Sequence, residues 1–272
     1  MRLPFFKKNL GVAALLATSQ PVVATGFVSP KLDGLIHLSQ VVKAYETPTG
    51  EFRALKGISV SIQSNEFLCI VGKSGAGKTT FLNMITGVDS ISSGSVQVDG
   101  VSVHEMTEDQ LALWRGLNLG IIYQSFELMP MLTLLENVML PMDFCQLYAP
   151  RKSRERAREL LRMVELEEHM GKLPNAISGG QQQRVAIARA LANDPPVIVA
   201  DEPTGRLDST TAETILDIFD KLVQNGKTIV MVTHDASAAQ RASRVLEIVD
   251  GEILSENNKA PRIAMKVIAG GK

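Results

Sequence analysis

Cysteine is scarce: the 272 residues contain two, Cys69 and Cys145, with no C-x-x-C pair and no neighbouring histidine. That excludes a disulfide framework and a thiolate zinc site, both of which need closely set cysteines. Charge of one sign is lacking as well. Lysine plus arginine number 28 against 29 acids, a formal charge of -1, so the chain has no overall positive field with which to hold a phosphate backbone, and nucleic acid is disfavoured as a partner. The apolar run Leu10 to Ala17 breaks at Thr18-Ser19-Gln20-Pro21, well short of the roughly 20 residues that cross a bilayer as a helix. No segment repeats with a period of roughly 20 to 50 residues, which excludes solenoids and propellers. What is present is ordinary for a globular protein: 45% apolar and 21% charged residues, too hydrophobic for a disordered chain and long enough for one or two domains.

Residues 1–34 read differently from the rest. Arg2, Lys7 and Lys8 precede the apolar run and Val22-Val23-Ala24 closes it, imitating a secretory signal peptide. Export does not suit the motifs described below. The segment is therefore expected to be an unstructured or wrongly started leader outside the fold, ahead of a peripheral anchor or an organelle address.

From Ile36 onward the pattern is strand-like. Ile58, Val60 and Ile62 alternate with Ser59 and Ser61, as Val96 and Val98 do with polar neighbours, the period of half-exposed antiparallel strands. Phe67 to Val71, Val197 to Ala200 and Ile229 to Val232 are instead continuously apolar and rich in β-branched residues, as strands buried on both faces of a parallel sheet are. Helices are expected over 210–223, with Thr210 and Glu213 as a capping box, and over 153–168, where Ala157, Leu160, Leu161 and Val164 share a stripe. The layout is an α/β core with a helical insertion at about 128–175 and, past Ile253, a polar tail expected to fray.

Gly72-Lys73-Ser74-Gly75-Ala76-Gly77-Lys78-Thr79 follows a buried strand and precedes the apolar segment Phe81 to Ile85. This is the phosphate-loop pattern G-x-x-x-x-G-K-[ST] in its strand, loop, helix setting. Glycines let backbone N–H groups curl around phosphates at a helix N-terminus, Lys78 supplies positive charge, and the Thr79 hydroxyl can ligate magnesium. Ser74 and Thr80 complete the candidate cradle. Asp201 and Glu202 end the second buried strand, where ligands of open α/β sheets bind. In that position Asp201 can hold magnesium through water and Glu202 can act as the general base on the attacking water. His234, in Thr233-His234-Asp235 at the end of the third buried strand, is read as a γ-phosphate contact.

Ile177-Ser178-Gly179-Gly180-Gln181-Gln182-Gln183-Arg184 closely resembles the L-S-G-G-Q signature of ABC transporter ATP-binding subunits. The resemblance spans roughly residues 36–253 and takes in six motifs in the family's order: Tyr45, the phosphate loop, Gln124, the signature, Asp201-Glu202 with Leu207-Asp208, and His234. It implies an ABC ATP-binding domain over 35–254, flanked by the leader and a 255–272 tail. The implied fold is α/β, of the P-loop NTPase type, with a mixed central sheet, an antiparallel β subdomain and a helical subdomain. It also implies ATP and Mg2+ as cofactors, a homodimer sandwiching two ATP molecules, and an integral membrane permease as partner. Such subunits are peripheral to the cytoplasmic face of the plasma (inner) membrane. By resemblance Tyr45 stacks on adenine and Gln124 reaches the magnesium and water. Ser178, Gly179, Gly180 and Gln181 meet the γ-phosphate held by the other subunit, and Asp208 organises that facing site.

Gly87-Val88-Asp89, Gln124 to Pro130, Leu132-Thr133 and Glu136-Asn137-Val138 are similar to the lipoprotein-releasing and macrolide-exporting group, whose permeases carry a large extracytoplasmic domain. Ile177 in place of leucine, Asn65 in place of glycine, Arg206 in place of asparagine and Asn175-Ala176 ahead of the signature depart from the pattern. None removes a catalytic group, so a competent ATPase is expected. The leading function is the motor of an export or extraction machine. The alternative is a regulatory ATPase module that switches a membrane partner controlling an extracytoplasmic enzyme, with nothing transported. Met129, Met131, Met139 and Met142 are read either as an adaptable patch for a permease helix or as core filling.

Overall fold

A computed structural model describes residues 34–48 and 50–258 of the chain. The leader up to residue 33 and the tail from 259 lie outside the described residues.

Two sheets share one core. The first is antiparallel, in the order β2 (Gly50–Ile62), β1 (Ile36–Thr47), β4 (Ser93–Val98), β5 (Val101–Ser102). Ile58, Val60 and Ile62 of β2 are buried and Ser59 and Ser61 exposed, as their alternation requires when one face is wet. The second sheet runs β10 (Glu252–Asn258), β9 (Arg244–Val249), β3 (Phe67–Val71), β8 (Thr228–Val232), β7 (Val197–Asp201), β6 (Leu119–Ile122). It is parallel except where β10 returns antiparallel to β9. The expected mixed central sheet and antiparallel subdomain are both present.

The apolar runs are unbroken because β3, β7 and β8 have a core on each face. Leu68 and Ile70 belong to the core shared with the antiparallel sheet and with α1 (Lys78–Thr86), while Phe67 and Cys69 belong to a helix-covered core. The helices on that second face are α3 (Leu134–Phe144), α4 (Pro150–Met163), α5 (Gly179–Ala190), α6 (Ser209–Gln224) and α7 (Ala236–Arg241); α2 (Glu108–Asn118) precedes β6. Phe219 of α6 is fully buried, its ring centroid 6.4 Å from that of Phe67. Burying such a side chain contributes about 2–3 kcal/mol, and this contact ties α6 to the amino end of β3.

Some expected boundaries move. The helix expected over 153–168 starts at Pro150, suited to a first helical turn, and ends at Met163 because Glu165 turns left-handed at φ 60°. Val164, the last residue of the expected stripe, is buried but is the C-cap and lies just past the helix. The helix expected over 210–223 begins one residue earlier. Its cap is Asp208, whose carboxylate accepts the Thr211 N–H at 3.0 Å, so Thr210 and Glu213 form no capping box. The tail expected to fray past Ile253 is paired with β9 through Asn258. Asn65 adopts φ 61°, the left-handed turn that asparagine tolerates in place of glycine. The methionines divide: Met142 is buried and Met139 packs against the core, whereas Met129 and Met131 are exposed.

Candidate active site

The carboxyl ends of β3, β7 and β8 feed one cleft of about 360 Å3. It is lined by the phosphate-loop residues Ser74, Gly75, Gly77, Lys78, Thr79 and Thr80, together with Asp201, Glu202 and Tyr45. Gly72 sits at the root of the loop, where its carbonyl and that of Lys73 accept from Lys78 Nζ at 2.9 and 3.0 Å. The ammonium is thus held over the loop before any ligand arrives. Gly77 is the N-cap of α1 at φ 102°, and a Cβ there would lie 2.6 Å from the Ala54 carbonyl oxygen. Both the conformation and the close approach demand glycine. No side chain caps α1, so the N–H groups of its first turn are available to an anion.

Opposite the loop, Thr79 Oγ1 donates to Asp201 Oδ2 at 3.0 Å. Burial pushes the Asp201 carboxyl above the ordinary carboxylate range and the Glu202 charge adds to this, against the pull of the Thr79 hydrogen bond and the Lys78 charge. A hydroxyl and one carboxylate are hard oxygen donors that suit magnesium, which is commonly held by one or two carboxylates plus substrate phosphates. No cluster of three or more His, Cys, Asp or Glu among the described residues is set to cage a metal, so a cation here would be shared with phosphate oxygens.

Glu202 has φ 49°, uncommon for a residue with a side chain, and is fastened by its N–H to the Val232 carbonyl at 2.9 Å. Its Oε2 lies 2.7 Å from His234 Nδ1, with Glu202 mostly buried and His234 mostly exposed. The two residues expected at the γ-phosphate are therefore in direct contact across neighbouring strand ends. Gln124 is half-buried and does not line the cleft. A methyl group on Gly205 would lie 3.0 Å from its Nε2, which sets the amide against the turn that follows Glu202.

Ser178, Gly179, Gly180 and Gln181 stand apart from the cleft. Ser178 caps α5: its Oγ accepts the Gln181 N–H at 3.3 Å, and Gln181 Oε1 accepts the Ser178 N–H at 2.9 Å. A methyl group on Gly180 would collide with Thr211, so the starts of α5 and α6 abut. Asp208 also accepts from the Thr211 hydroxyl at 2.6 Å. Its two bonds to Thr211 hold its carboxyl below the usual range.

The structure adds residues that the motifs did not single out. Phe52, paired across the strands with Tyr45, is a second exposed ring lining the cleft. Arg189, at the end of α5, donates to the carbonyls of Phe126, at 2.8 Å, and Glu127. Both residues whose carbonyls accept are left-handed, at φ 57° and 50°, so the arginine braces the loop after Gln124. Gln183, wholly buried, donates to the Pro203 carbonyl at 2.8 Å, joining α5 to the turn behind Glu202. A polar side chain inside the apolar stripe of α5 was the available signal for Gln183.

The chain matches the family described as ABC transporter over residues 55–205. It is 45% identical over 226 residues to an uncharacterised ABC transporter ATP-binding protein, MJ0796, of Methanocaldococcus jannaschii, covering 82% of this chain and 96% of that one. It is 43% identical over 225 residues to the macrolide export ATP-binding/permease protein MacB of Syntrophobacter fumaroxidans, covering 82% of this chain and 32% of that one. The chain thus spans about a third of the length of that relative. Among solved structures it is similar to a dimeric post-hydrolysis state of the ATP-binding cassette MJ0796 bound to ADP and Pi, with a TM-score of 0.78 and 43% identity over 83% of this chain and 99% of the other.

Proposed function

The chain belongs to the ABC transporter family, and on that premise we propose that it is the ATP-hydrolysing motor of a transporter, driving export or extraction as a homodimer coupled to an integral membrane permease. The observation that carries this reading is the convergence of Lys78, Thr79, Asp201 and Glu202 in one cleft. The MJ0796 cassette was solved as a dimer with ADP and Pi, and the name of the MacB relative joins ATP-binding with permease in one protein; both support the assignment. No helix among the described residues is long and apolar enough to cross a membrane. In this reading the motor docks on its permease at the cytoplasmic face of the membrane.

In this reading the uncapped first turn of α1 and the Lys78 ammonium bind the β- and γ-phosphates. Thr79 and Asp201 would hold magnesium, which when bound supplies neutralising charge at the phosphate oxygens. Gln124 helps orient the attacking water. Glu202 accepts a proton from that water as its oxygen bonds to the γ-phosphorus, and the bond from phosphorus to the ADP oxygen breaks, giving ADP and phosphate. His234, now paired with Glu202, is placed to turn toward the γ-phosphate, and Tyr45 offers its ring to the adenine. Ser178, Gly179, Gly180 and Gln181 serve the ATP bound by the other copy, with Asp208 beside them at the seam.

The test is Glu202→Gln, which deletes the base and leaves the phosphate cradle. Turnover should fall at least roughly 100-fold with ATP affinity retained, and light scattering with ATP and magnesium should show a dimer. A monomer under those conditions, or turnover near that of the parent, would refute the sandwich or the base assignment. The same variant, tagged and drawn from detergent-solubilised membranes, should bring down a permease with a large extracytoplasmic domain; recovery of soluble proteins alone counts against the export motor.

A further inference from the structure

The ring expected to meet the nucleobase does not stand free. Tyr45 Oη donates to Asp89 Oδ2 at 2.8 Å. Asp89 Oδ1 in turn accepts from Lys43 Nζ at 2.7 Å and from the Ser90 N–H at 2.8 Å. The Lys43 ammonium also donates to the Ser90 carbonyl at 2.7 Å and lies 4.8 Å from the centre of the Tyr45 ring. Lys43 is buried and does not line the cleft, whereas Tyr45 does. The ammonium therefore backs the ring and leaves its other face to the cleft.

The chain positions of these groups matter. Asp89 follows the α1 C-cap, Gly87. The hydroxyl on β1 is thus tied to the segment that leaves the far end of the helix whose N-terminus receives the phosphates. A phosphate loop fixes one end of a nucleotide, and the other end gains affinity only if its ring platform is already at the matching distance, since ordering a loose ring costs part of the stacking energy.

We propose that Asp89 is a positioning residue for the nucleobase platform: by anchoring the Tyr45 hydroxyl and the Lys43 ammonium that backs the ring, it sets the distance from the ring to the phosphate loop. Asp89 itself touches no ligand. The inference rests on the ATP-binding reading of the cleft and adds to it a residue whose effect depends on the base being present.

The experiment compares two ligands on the full chain by calorimetry with magnesium: ATP, which has a base, and inorganic tripolyphosphate, which has none. Asp89→Ala should weaken ATP about threefold to tenfold, the worth of a lost hydrogen bond, and leave tripolyphosphate unchanged. Tyr45→Phe, which removes only the hydroxyl, should shift ATP in the same direction, and it stands in if Asp89→Ala does not fold. Asp89→Asn keeps an oxygen for Tyr45 and should recover part of the loss. ATP affinity unchanged in both Asp89→Ala and Tyr45→Phe overturns the inference, as does an equal loss for both ligands, which would mean damage to the phosphate loop. A parent chain that binds neither ligand would remove the functional reading itself, a failure distinct from either.

Discussion

Two helices of this protein begin with glycine-rich turns, and they treat their free N–H groups in opposite ways. At α1 the N-cap is Gly77, left-handed and without a side chain, and no side chain among the described residues caps the first turn. At α5 the N-cap is Ser178, and a reciprocal box with Gln181 occupies the N–H groups of those two residues and not those of Gly179 and Gly180. Unsatisfied N–H groups at a helix start need a partner, from the chain, from water or from a ligand. The first helix leaves that place to an anion inside a cleft it shares with Asp201 and Glu202. The second is partly capped by its own side chains, and the hydroxyl and glycine backbone it presents lie outside that cleft. This contrast suits the proposed arrangement, in which the phosphate loop works within one chain and the signature turn serves the ATP of another.

The comparison breaks most severely at charge. Lys78→Ala removes the ammonium that the loop carbonyls hold at 2.9 and 3.0 Å, and ATP affinity should fall roughly 10- to 100-fold, the worth of one or two charge-assisted hydrogen bonds. Unchanged affinity in calorimetry would deny α1 its role.

Glycine for alanine sharpens the contrast next. Gly77→Ala forces a side chain into φ 102° with its Cβ 2.6 Å from a backbone oxygen, and urea denaturation should register a loss of about 1–3 kcal/mol. Gly179→Ala meets only the Phe126 ring at 3.6 Å, an ordinary contact. Its stability should match the parent while turnover falls, because the added methyl stands where the other copy's phosphate would approach. Equal destabilisation of the two variants would erase the distinction between the turns.

The smallest effect is expected from Ser178→Ala. It removes a cap whose Oγ to N–H distance is a long 3.3 Å, so the cost should be about 0.5–1 kcal/mol, in the lower range for caps. ATP affinity of the single chain should stay unchanged in the same preparation. A loss of that affinity would mean that the signature turn belongs to the cis cleft.

Much of the fold could be read from local pattern. The β3 boundaries coincide with the apolar run Phe67 to Val71, because burial on both faces demands unbroken hydrophobicity. β1 was less legible: its pairing with β2 shifts register at three points between Leu38 and Ala44, and such bulges disrupt the period of two. The end of α4 was not legible because Val164 keeps the apolar stripe at the C-cap, and the turn at Glu165 that stops the helix carries neither glycine nor proline. At the site, the phosphate loop and the carboxylates after β7 were plain. Asp89 was visible only as part of a family-like Gly87-Val88-Asp89 string, and its bond to Tyr45 spans 44 residues of chain. Arg189 gave no signal either, since its partners are backbone carbonyls, which carry no residue identity.

What the sequence alone determined is the chemistry that fits within one short window. The phosphate loop is eight consecutive residues whose glycines dictate the backbone, the signature turn is a cap and two glycines, and the buried strands announce themselves by composition. Tertiary structure decided which of these groups meet. Thr79 and Asp201 lie 122 residues apart, and Glu202 and His234 lie 32 apart; they come together because β3, β8 and β7 are neighbours in the sheet. That order is set by how two cores close on opposite faces of the same strands, a property of the whole packed chain that no short window contains.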